Sequence, residues 1–490
     1  MITFIICLAI LVGAYFTYGK YLERVCGVTP SADVPSAKSF DGVDYMPLPR
    51  WKTFLIQLLN IAGLGPIFGA VLGAAYGPVA FLWITLGGVF MGAMHDFVAA
   101  MMSLRHNGAS LPEVVGHYLG GGARQFMRIF SVLLMVLVGA VFMSQPAELI
   151  ATHVEIPVEG LAFGATSWEL VIILGVILIY YVMATLLPID KIIGRIYPIF
   201  GSALLIMALG ILGVLLFNSG TYQIPELTSL TNGIANADKF PIIPMLFTTI
   251  ACGAISGFHA TQSPMMARCI ESESETRFVF YGAMITESII ALIWAAIAMA
   301  FWGGVSGLNE AIAANGGSAA KLIDLITSQT LGPVVAAVVL VGVIACAITS
   351  GDTAFRSARL IVSDMLGVGQ ERLLPRLLVS IPLFAGALFI IFGLPFGAIW
   401  SYFAWTNQTL AVITLWSIVV YLASRRKPIV IALIPAIFMT YVCTSYIFVS
   451  PLMFSLSNRL VAYGLAGAST LLILVPILLK IKKDNGRTIS

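Results

Sequence analysis

Residues 54–76 form an apolar run that is long enough to cross a lipid bilayer, yet its centre is poorly suited to a helix. Gly63, Gly65 and Pro66 lie in the middle of the run. Proline has no N–H to donate and crowds the carbonyl four residues before it, and glycine tolerates backbone angles that a helix forbids. Because unpaired amides cost several kcal/mol each in hydrocarbon, an opened turn persists only beside protein or a wet cavity. The sequence therefore predicts a broken membrane helix with a site at the break.

The chain repeats this pattern once, in the apolar run 241–265. Gly253, Ser256 and Gly257 interrupt that run, and His259 follows the interruption directly. The two interruptions lie about 190 residues apart in corresponding positions of two halves, and secondary transporters build their sites between discontinuous helices of two repeats. The alternative is that these glycines only allow helices to pack closely where they cross. The matched pair favours the transporter interpretation.

The composition indicates an all-α polytopic membrane protein. Of the 490 residues, 59% are hydrophobic and 10% are charged, and the mean hydropathy is +0.98, which excludes an ordinary soluble domain. We predict thirteen transmembrane helices, at 2–19, 54–76, 79–103, 127–149, 168–187, 192–217, 241–265, 280–302, 333–355, 377–393, 396–422, 429–449 and 459–480. The polar segments between them are too short for a second soluble domain, so residues 1–490 are predicted to form a single membrane transport domain.

The basic residues predict the orientation of these helices. Assigning the loops to alternate sides places 23 of the 26 lysines and arginines on one side, and only Lys239, Lys321 and Arg459 on the other. By the positive-inside rule the rich side is cytoplasmic, which puts the N-terminus outside and the C-terminus in the cytoplasm. Residues 1–19 have no basic residue before their apolar run, so we expect a retained helix rather than a signal peptide.

Only a few ionisable residues fall within the predicted helices away from their basic ends, and the ones considered as candidates are His95, Asp96, Glu148, His259, Glu287 and Asp352. A charge at the bilayer centre costs about 2.5–3.5 kcal/mol on insertion scales, so each should face the protein interior or water. Asp352 shares a helix face with Thr349, Arg356 and Arg359. It could pair structurally with Arg356 while Arg359 extends towards the cytoplasm, or it could gate transport and carry a coupling proton.

The other ionisable residues allow similar alternatives. His259 follows the second break, where a histidine could bind a carboxylate or relay a proton. Asp96 and Glu287 lie on helices that each follow a broken one, and they could relay protons or lock helices together. His95 is expected on a different face from Asp96, so no catalytic dyad is predicted, and Glu148 is interpreted as structural.

The segment 400–408 (WSYFAWTNQ) is more polar than the sequence around it and lies near the start of the predicted helix 396–422. Asn407 and Gln408 can each donate and accept hydrogen bonds, and aromatic residues beside amides suit the wall of a small-molecule cavity. An interfacial aromatic belt would account for Trp400 and Tyr402 but explains the two amides poorly.

The chain contains the motifs DGVDYMPL (41–48), AGLGPIFG (62–69), HDF (95–97), RHNGAS (105–110), TIACGAISGFH (249–259), TRFVFYGAMITES (276–288) and WTNQTLA (405–411), together with the Asp352 segment. These motifs resemble those of the carbon starvation protein A (CstA) family. The resemblance implies a branch of the amino acid–polyamine–cation superfamily with a LeuT-type fold of two inverted five-helix repeats. The parts would be an extra N-terminal helix (1–19), repeat 1 (54–217), repeat 2 (241–422) and two closing helices (429–480).

The resemblance also implies proton-driven uptake of peptides and of pyruvate across a bacterial cytoplasmic (inner) membrane during nutrient limitation. The residues assigned to substrate binding are Gly63, Gly65, Gly253, Ser256, Gly257, His259, Trp405, Asn407 and Gln408. Those assigned to ion coupling are Asp352, Thr349, Ser350, Asp96 and Glu287, with Arg356 assigned to gating. A half-helix end would hold the substrate carboxylate. In such folds a cation can sit between the first broken helix and a hydroxyl-bearing eighth helix, so sodium is the alternative to the proton.

Other classes of function are less well supported by the residues. The chain has no HExxH, GxSxG or Walker A sequence and no metal-spaced cysteine cluster among its six cysteines, so neither an enzyme nor an ATP-driven pump is predicted. We expect no cofactor and no nucleic-acid partner, and no metal ligands are assigned. The sequence leaves open whether His95, Asp96 or His259 binds a metal. A channel or nutrient sensor stays an alternative because neither needs a motif.

Overall fold

The structure is a computed structural model that describes residues 1–30, 33–41, 45–151, 153–154, 162–163, 166–186, 189–369 and 372–487. Part of the DGVDYMPL motif (residues 42–44) lies outside the described residues. The side chains of Lys191 and Arg195, which contribute to the predicted charge asymmetry, lie outside them as well.

The described chain is helical apart from one two-stranded antiparallel ribbon. The first half contains α1 (Ile2–Phe16), α2 (Tyr18–Cys26), α3 (Pro35–Lys38), α4 (Arg50–Ala62), α5 (Ala70–Gly73), α6 (Val79–Leu82), α7 (Ala93–Arg105), α8 (Leu111–Leu119), α9 (Gly121–Ala151), α10 (Trp168–Leu186) and α11 (Ile189–Phe217). The ribbon, β1 (Ala162–Phe163) and β2 (Thr166–Ser167), precedes α10 and pairs Ala162 with Ser167. The fold is therefore an all-α one.

The second half contains α12 (Ile242–Thr249), α13 (Gly257–Ala267), α14 (Gly282–Phe301), α15 (Val305–Ala314), α16 (Ala319–Thr330), α17 (Gly332–Leu366), α18 (Leu373–Gly393), α19 (Phe396–Ser424), α20 (Val430–Val449) and α21 (Arg459–Arg487). Two long helices include π-helical stretches, Trp83–Gly92 between α6 and α7 and Arg277–Tyr281 before α14.

Ten helices of the described chain are long and apolar enough to cross a membrane, and the bent pair Arg50–Ala62 and Gly65–Tyr76 would make eleven. This confirms a polytopic membrane protein but gives fewer spans by length than the thirteen predicted. Two predicted spans account for the difference. Trp168–Ala184 is apolar but shorter than the other spans, and the run 241–265 is divided into α12 and α13.

The first predicted break is present. α4 ends at Ala62, and the next residue, Gly63, has a φ of +48° and a ψ of −137°, which are unfavourable for a residue with a side chain. A π-helical turn, Gly65–Gly69, follows with Pro66 in its first turn, where a missing N–H removes no helical hydrogen bond. The two parts of the span meet at an angle of 52°.

The second predicted break is present and longer. α12 ends at Thr249 and α13 begins at Gly257, so residues 250–256 cross the protein interior without helical geometry. Gly253 has a φ of +91°, which favours glycine, and Ser256 is extended before the next helix begins.

The two broken spans cross at their breaks. A Cβ atom on Gly65 would lie 2.1 Å from Cβ of Cys252, and one on Gly73 would lie 2.2 Å from Cγ1 of Ile250. The two broken spans therefore approach each other so closely that only glycine fits at both positions. α14 and α19 surround this crossing, with 83% and 89% of their apolar stretches buried. α18 and α21, with 28% and 17% buried, form the periphery and expose large apolar side chains such as Phe389 and Leu472, as a lipid-facing surface does.

Candidate functional site

A cluster of ionisable side chains lies beside the second break. Asp96 of α7, His259 of α13 and Glu287 of α14 have no exposed surface. Nδ1 of His259 lies 2.9 Å from Oδ2 of Asp96, and its Nε2 lies 3.4 Å from Oε2 of Glu287. The first contact is a hydrogen bond, whereas the second is at ion-pair distance but outside hydrogen-bond geometry. Three residues that are far apart in sequence, each predicted as a site residue, thus meet at one point.

His95 joins this cluster, and the prediction that it faces away from Asp96 is wrong. Its Nδ1 lies 2.8 Å from Oδ1 of Asp96, and both side chains are fully buried. Adjacent positions on a helix point about 100° apart, but a carboxylate has two oxygens and the imidazole can turn back towards its neighbour. Asp96 therefore accepts hydrogen bonds from two histidines at once.

Asn407 of α19 holds the second break in place. Its Oδ1 accepts hydrogen bonds from the backbone N–H of Phe258 at 2.7 Å and from Oγ of Ser256 at 3.0 Å. Its Nδ2 donates to Sγ of Cys252 at 3.8 Å. The side chain thus satisfies groups that the missing helical turn leaves unpaired, which is what an opened turn away from water requires. Gly257 permits the contact, because a Cβ there would lie 2.4 Å from the carbonyl oxygen of Asn407.

Gln408 and Trp83 satisfy two further carbonyls around the second break. Nε2 of Gln408 donates to the carbonyl of Phe247 at 2.9 Å, and Nε1 of Trp83 donates to the carbonyl of Ile250 at 2.8 Å. Trp83 was not predicted from the sequence. Its position among the apolar residues of a predicted helix gives no sign that its N–H serves an opened turn elsewhere in the chain.

α17 supplies the corresponding groups for the first break. Oγ of Ser350 donates to the carbonyl of Leu59 at 2.8 Å, and Sγ of Cys346 donates to the carbonyl of Gly63 at 3.2 Å. Thr349 donates to the carbonyl of Cys346 on its own helix. The predicted neighbourhood of the first broken helix and the hydroxyl-bearing helix is therefore present, and Cys346 was missed because a lone cysteine in an apolar run resembles an ordinary core residue.

Asp352 and Arg356 lie further along α17 and are buried. Asp352 is close enough to Tyr180 and Tyr181 of α10 to interact with them electrostatically. Nη2 of Arg356 donates to the carbonyl of Ala184 at 2.8 Å, near the end of α10. The predicted pairing of Asp352 with Arg356 stays a prediction. Arg359 is buried, with 4% exposed, rather than extended towards water as predicted.

Trp405 and Glu148 lie away from the breaks. Nε1 of Trp405 donates to the carbonyl of Cys443 on α20, so its indole faces that helix while Asn407 and Gln408 face the break. Glu148 accepts a hydrogen bond from Oγ of Ser318 at 2.9 Å, which links α9 to the start of α16. That contact agrees with the structural interpretation of Glu148.

The hollow expected between the two breaks is filled by protein. Residues 61–70 and 250–260 are buried, and Gly65 packs directly against Cys252. Two cavities lie at opposite ends of the second broken span instead. One, of about 280 Å³, lies beside α12 and includes Thr248, Thr249 and Trp400 in its wall. The other, of about 340 Å³, lies beside α13 and includes Thr261 and Pro264.

The sequence model of the family described as "Carbon starvation protein CstA" matches residues 1–155 and 147–337. These two matches together cover more than half of the chain and include both breaks, Asp96, His259 and Glu287.

Individual relatives extend the comparison. A protein of Haemophilus influenzae named as an uncharacterized membrane protein is 43% identical over 352 residues, which cover 64% of this chain and 95% of that protein. The peptide transporter CstA of Bacillus subtilis is 27% identical over 530 aligned positions, covering 90% of this chain and 88% of that protein. The pyruvate/proton symporter BtsT of Escherichia coli is 29% identical over 57% of this chain and 46% of its own length.

Proposed function

Because the chain belongs to the carbon starvation protein CstA family, whose named relatives are membrane transporters, we propose that it is a secondary active transporter that imports small carboxylate-bearing nutrients. The nutrients are short peptides, pyruvate or both, and import is driven by protons through alternating access. The relatives named as peptide and pyruvate carriers support this class of substrate, since both ligands have a carboxylate.

One observation carries the proposal: two broken spans cross at their breaks inside a multi-pass membrane protein. The cavities at the two ends of α12 and α13 are separated by the buried crossing. A sealed centre between two vestibules is what an occluded state of an alternating-access carrier requires. Opening the crossing towards one cavity and then the other would expose the polar main chain of the breaks to each side in turn.

The finer architecture that we propose is a LeuT-type arrangement of thirteen crossings, in which 54–217 and 241–422 are inverted five-helix repeats. It is supported by corresponding features in both halves. Each begins with a broken span, and each broken span is followed by a long helix with a π-helical stretch, Val79–Arg105 and Glu273–Phe301. Arg459, which is predicted to lie outside, donates to the carbonyl of Asp238, whose neighbour Lys239 is also predicted to lie outside. We therefore propose the inner-membrane orientation with the N-terminus outside.

For substrate binding we propose the surroundings of the second break. α13 begins there, and the N-terminal end of a helix attracts anions. Gly253, Ser256 and Gly257 belong to the break or its edge, and Asn407 and Gln408 bind its backbone or hydroxyl groups. On opening of the crossing with Gly63 and Gly65, a substrate carboxylate would replace some of these internal contacts.

For proton coupling we propose Asp352, with Arg356 as a gate. Both are buried on the helix whose Ser350 contacts the first break, so protonation of Asp352 would change the charge next to a moving element. Thr349 and Ser350 would serve the sodium alternative. For a zwitterionic dipeptide, one proton that enters with a potential of 100 mV contributes about 2.3 kcal/mol, which corresponds to roughly fiftyfold accumulation. One proton that enters with the pyruvate anion moves no net charge, so that import is driven by the pH difference.

The test is uptake of labelled pyruvate and of a labelled dipeptide into proteoliposomes, with proton and sodium gradients imposed separately. We expect the proton gradient to drive accumulation of at least one of the two ligands and Asp352→Asn to abolish that accumulation while counterflow continues. Asp238→Asn, the same change on an exposed loop, should behave as wild type. Gradient-driven uptake by Asp352→Asn at the wild-type level would exclude its coupling role. Flux without counterflow would indicate a channel, and no movement of either ligand would indicate a sensor.

A further inference from the structure

We propose that Cys252, His259 and Glu287 form a binding site for one divalent transition-metal ion of the Zn²⁺ class at the second break. Sγ of Cys252, the free ring nitrogen of His259 and a carboxylate oxygen of Glu287 all lie within 4.8 Å of one another, and all three residues are buried. Thiolate, imidazole and carboxylate are the ligands by which proteins bind zinc.

The separation of two of these donors already matches a tetrahedral ion. Bond lengths of about 2.0–2.2 Å from zinc to nitrogen and oxygen place two such ligands about 3.3–3.5 Å apart. Nε2 of His259 and Oε2 of Glu287 are 3.4 Å apart. A zinc–sulfur bond of about 2.3 Å places the sulfur about 3.6 Å from the other two donors in a tetrahedral site. Sγ of Cys252 lies within 4.8 Å of both, so it needs to move towards them by at most about 1.2 Å.

The histidine is held in the orientation that a metal ligand needs. Oδ2 of Asp96 accepts the hydrogen bond from Nδ1 of His259, which assigns the proton to Nδ1 and leaves the lone pair on Nε2 facing Glu287. His95 binds the other oxygen of Asp96 at 2.8 Å and fixes the carboxylate in turn. A carboxylate that orients the far nitrogen of a ligating histidine is the usual outer shell of a zinc site.

The donor atoms of His259 and Glu287 are poorly satisfied within the described part of the chain. Nε2 of His259 and both carboxylate oxygens of Glu287 are buried and make no contact there with full hydrogen-bond geometry, apart from the 3.4 Å approach of Nε2 to Oε2. Leaving such groups unpaired in a low-dielectric interior is costly, most of all for a carboxylate. A divalent ion would satisfy all of them, and its two positive charges would balance one thiolate and one carboxylate.

The surroundings of the sulfur also suit a thiolate. Nδ2 of Asn407 points an N–H at Sγ of Cys252 from 3.8 Å, a donor that stabilises negative charge on sulfur. The three ligands belong to three parts of the protein, which are the non-helical segment 250–256, α13 and α14. Three protein ligands leave the fourth position of a tetrahedral ion open for water or for another ligand. Catalytic zinc sites have this pattern, whereas structural zinc sites have four protein ligands.

The test uses the full chain in detergent, purified without a polyhistidine tag, stripped with chelator and titrated with Co²⁺ alone and with Zn²⁺ alone. We expect one ion per chain by mass spectrometry of metals, a sulfur-to-cobalt charge-transfer band and a higher melting temperature with Zn²⁺. Cys252→Ser should lose the band, and Asp96→Asn, which replaces the charged orienting carboxylate with a neutral amide, should weaken binding by about 10- to 100-fold. Cys443→Ser changes another buried cysteine on α20 and should leave all three readouts unchanged.

Two results would overturn the proposal. One is wild-type protein that binds no stoichiometric ion and shows no melting shift, which would identify the cluster as a closed, proton-holding network. The other is a charge-transfer band that survives in Cys252→Ser. If that variant does not fold, stoichiometry and melting shift of the wild type together with Asp96→Asn decide the question. None of these readouts involves transport. The metal-binding proposal can therefore fail while the proposed transport function, on which it does not depend, stands, and metal binding can be confirmed even if transport is not found.

Discussion

At the scale of single residues, the breaks persist because particular side chains replace the hydrogen bonds that an unwound helix loses. Asn407 alone binds a backbone N–H, a hydroxyl and a thiol around the second break. Ser350 and Cys346 do the same for the carbonyls of Leu59 and Gly63 at the first break. In hydrocarbon no water could take over these roles, so each of these residues is expected to matter for stability as well as for transport.

Substitution of Asn407 tests this role. Asn407→Ala would leave the N–H of Phe258 and the hydroxyl of Ser256 buried without their acceptor, and each such loss costs about 1–3 kcal/mol. We expect a clearly lower melting temperature in detergent and strongly reduced uptake. Asn218→Ala, the same change on an exposed residue after α11, is the control and should melt as wild type. Equal melting temperatures for the two variants would show that Asn407 does not hold the break.

At the scale of elements, the sequence predicted the breaks because their chemistry is local. Pro66 lacks an N–H and Gly63 tolerates a positive φ, so both weaken a helix wherever the chain places them, and Gly253 takes a positive φ at the second break. The pairing of His95 with Asp96 was not predicted because helical spacing describes Cβ directions and not the reach of a side chain. The orientation of Trp405 towards α20 depends on the packing of that helix beside it, and the residues around Trp405 in the sequence do not indicate this packing.

One charged contact at the start of α1 contributes to its docking and makes that contribution sensitive to acid. Glu226, in the loop after α11, accepts hydrogen bonds from the N-terminal ammonium, from the hydroxyl and N–H of Thr3 and from the N–H of Ile2. The pKa of Glu226 is lowered from the 4.5 of an ordinary glutamate to about 2. The ammonium contact makes the largest contribution to this shift, and the contacts from Thr3 come next. Its stabilising contribution is thus complete above pH 4.5 and is lost as the pH falls towards 2.

Glu226→Gln should show this dependence. We expect the variant to melt below wild type at about pH 6 and the difference to narrow as the pH falls below about 4.5, because the wild type then loses the same contribution. Glu310→Gln, on an exposed position of α15, should melt as wild type at every pH. A constant gap between wild type and Glu226→Gln over the whole range would contradict the assignment.

At the scale of the whole molecule, the sequence predicted a membrane protein of two related halves, but not how tightly the halves close. Hydropathy identifies the spans, since each must be apolar whatever it packs against. It says nothing about the conformational state, so the expected hollow is a packed crossing between Gly65 and Cys252, with cavities only at its ends. A carrier must open this crossing, whereas a rigid membrane protein would keep it closed.

The most direct test of this account is a cross-link between the two broken spans. A Cβ on Gly73 would lie 3.7 Å from Cβ of Ile250, within the separation that a disulfide needs. We predict that the double variant Gly73→Cys/Ile250→Cys forms a disulfide under mild oxidation and that counterflow of labelled pyruvate or dipeptide in proteoliposomes then stops, to return on reduction. The Ile250→Cys single variant, which leaves Gly73 in place, should exchange substrate whether oxidised or reduced. A fully cross-linked protein that exchanges substrate at its reduced rate would contradict the claim that transport opens the crossing of the two breaks.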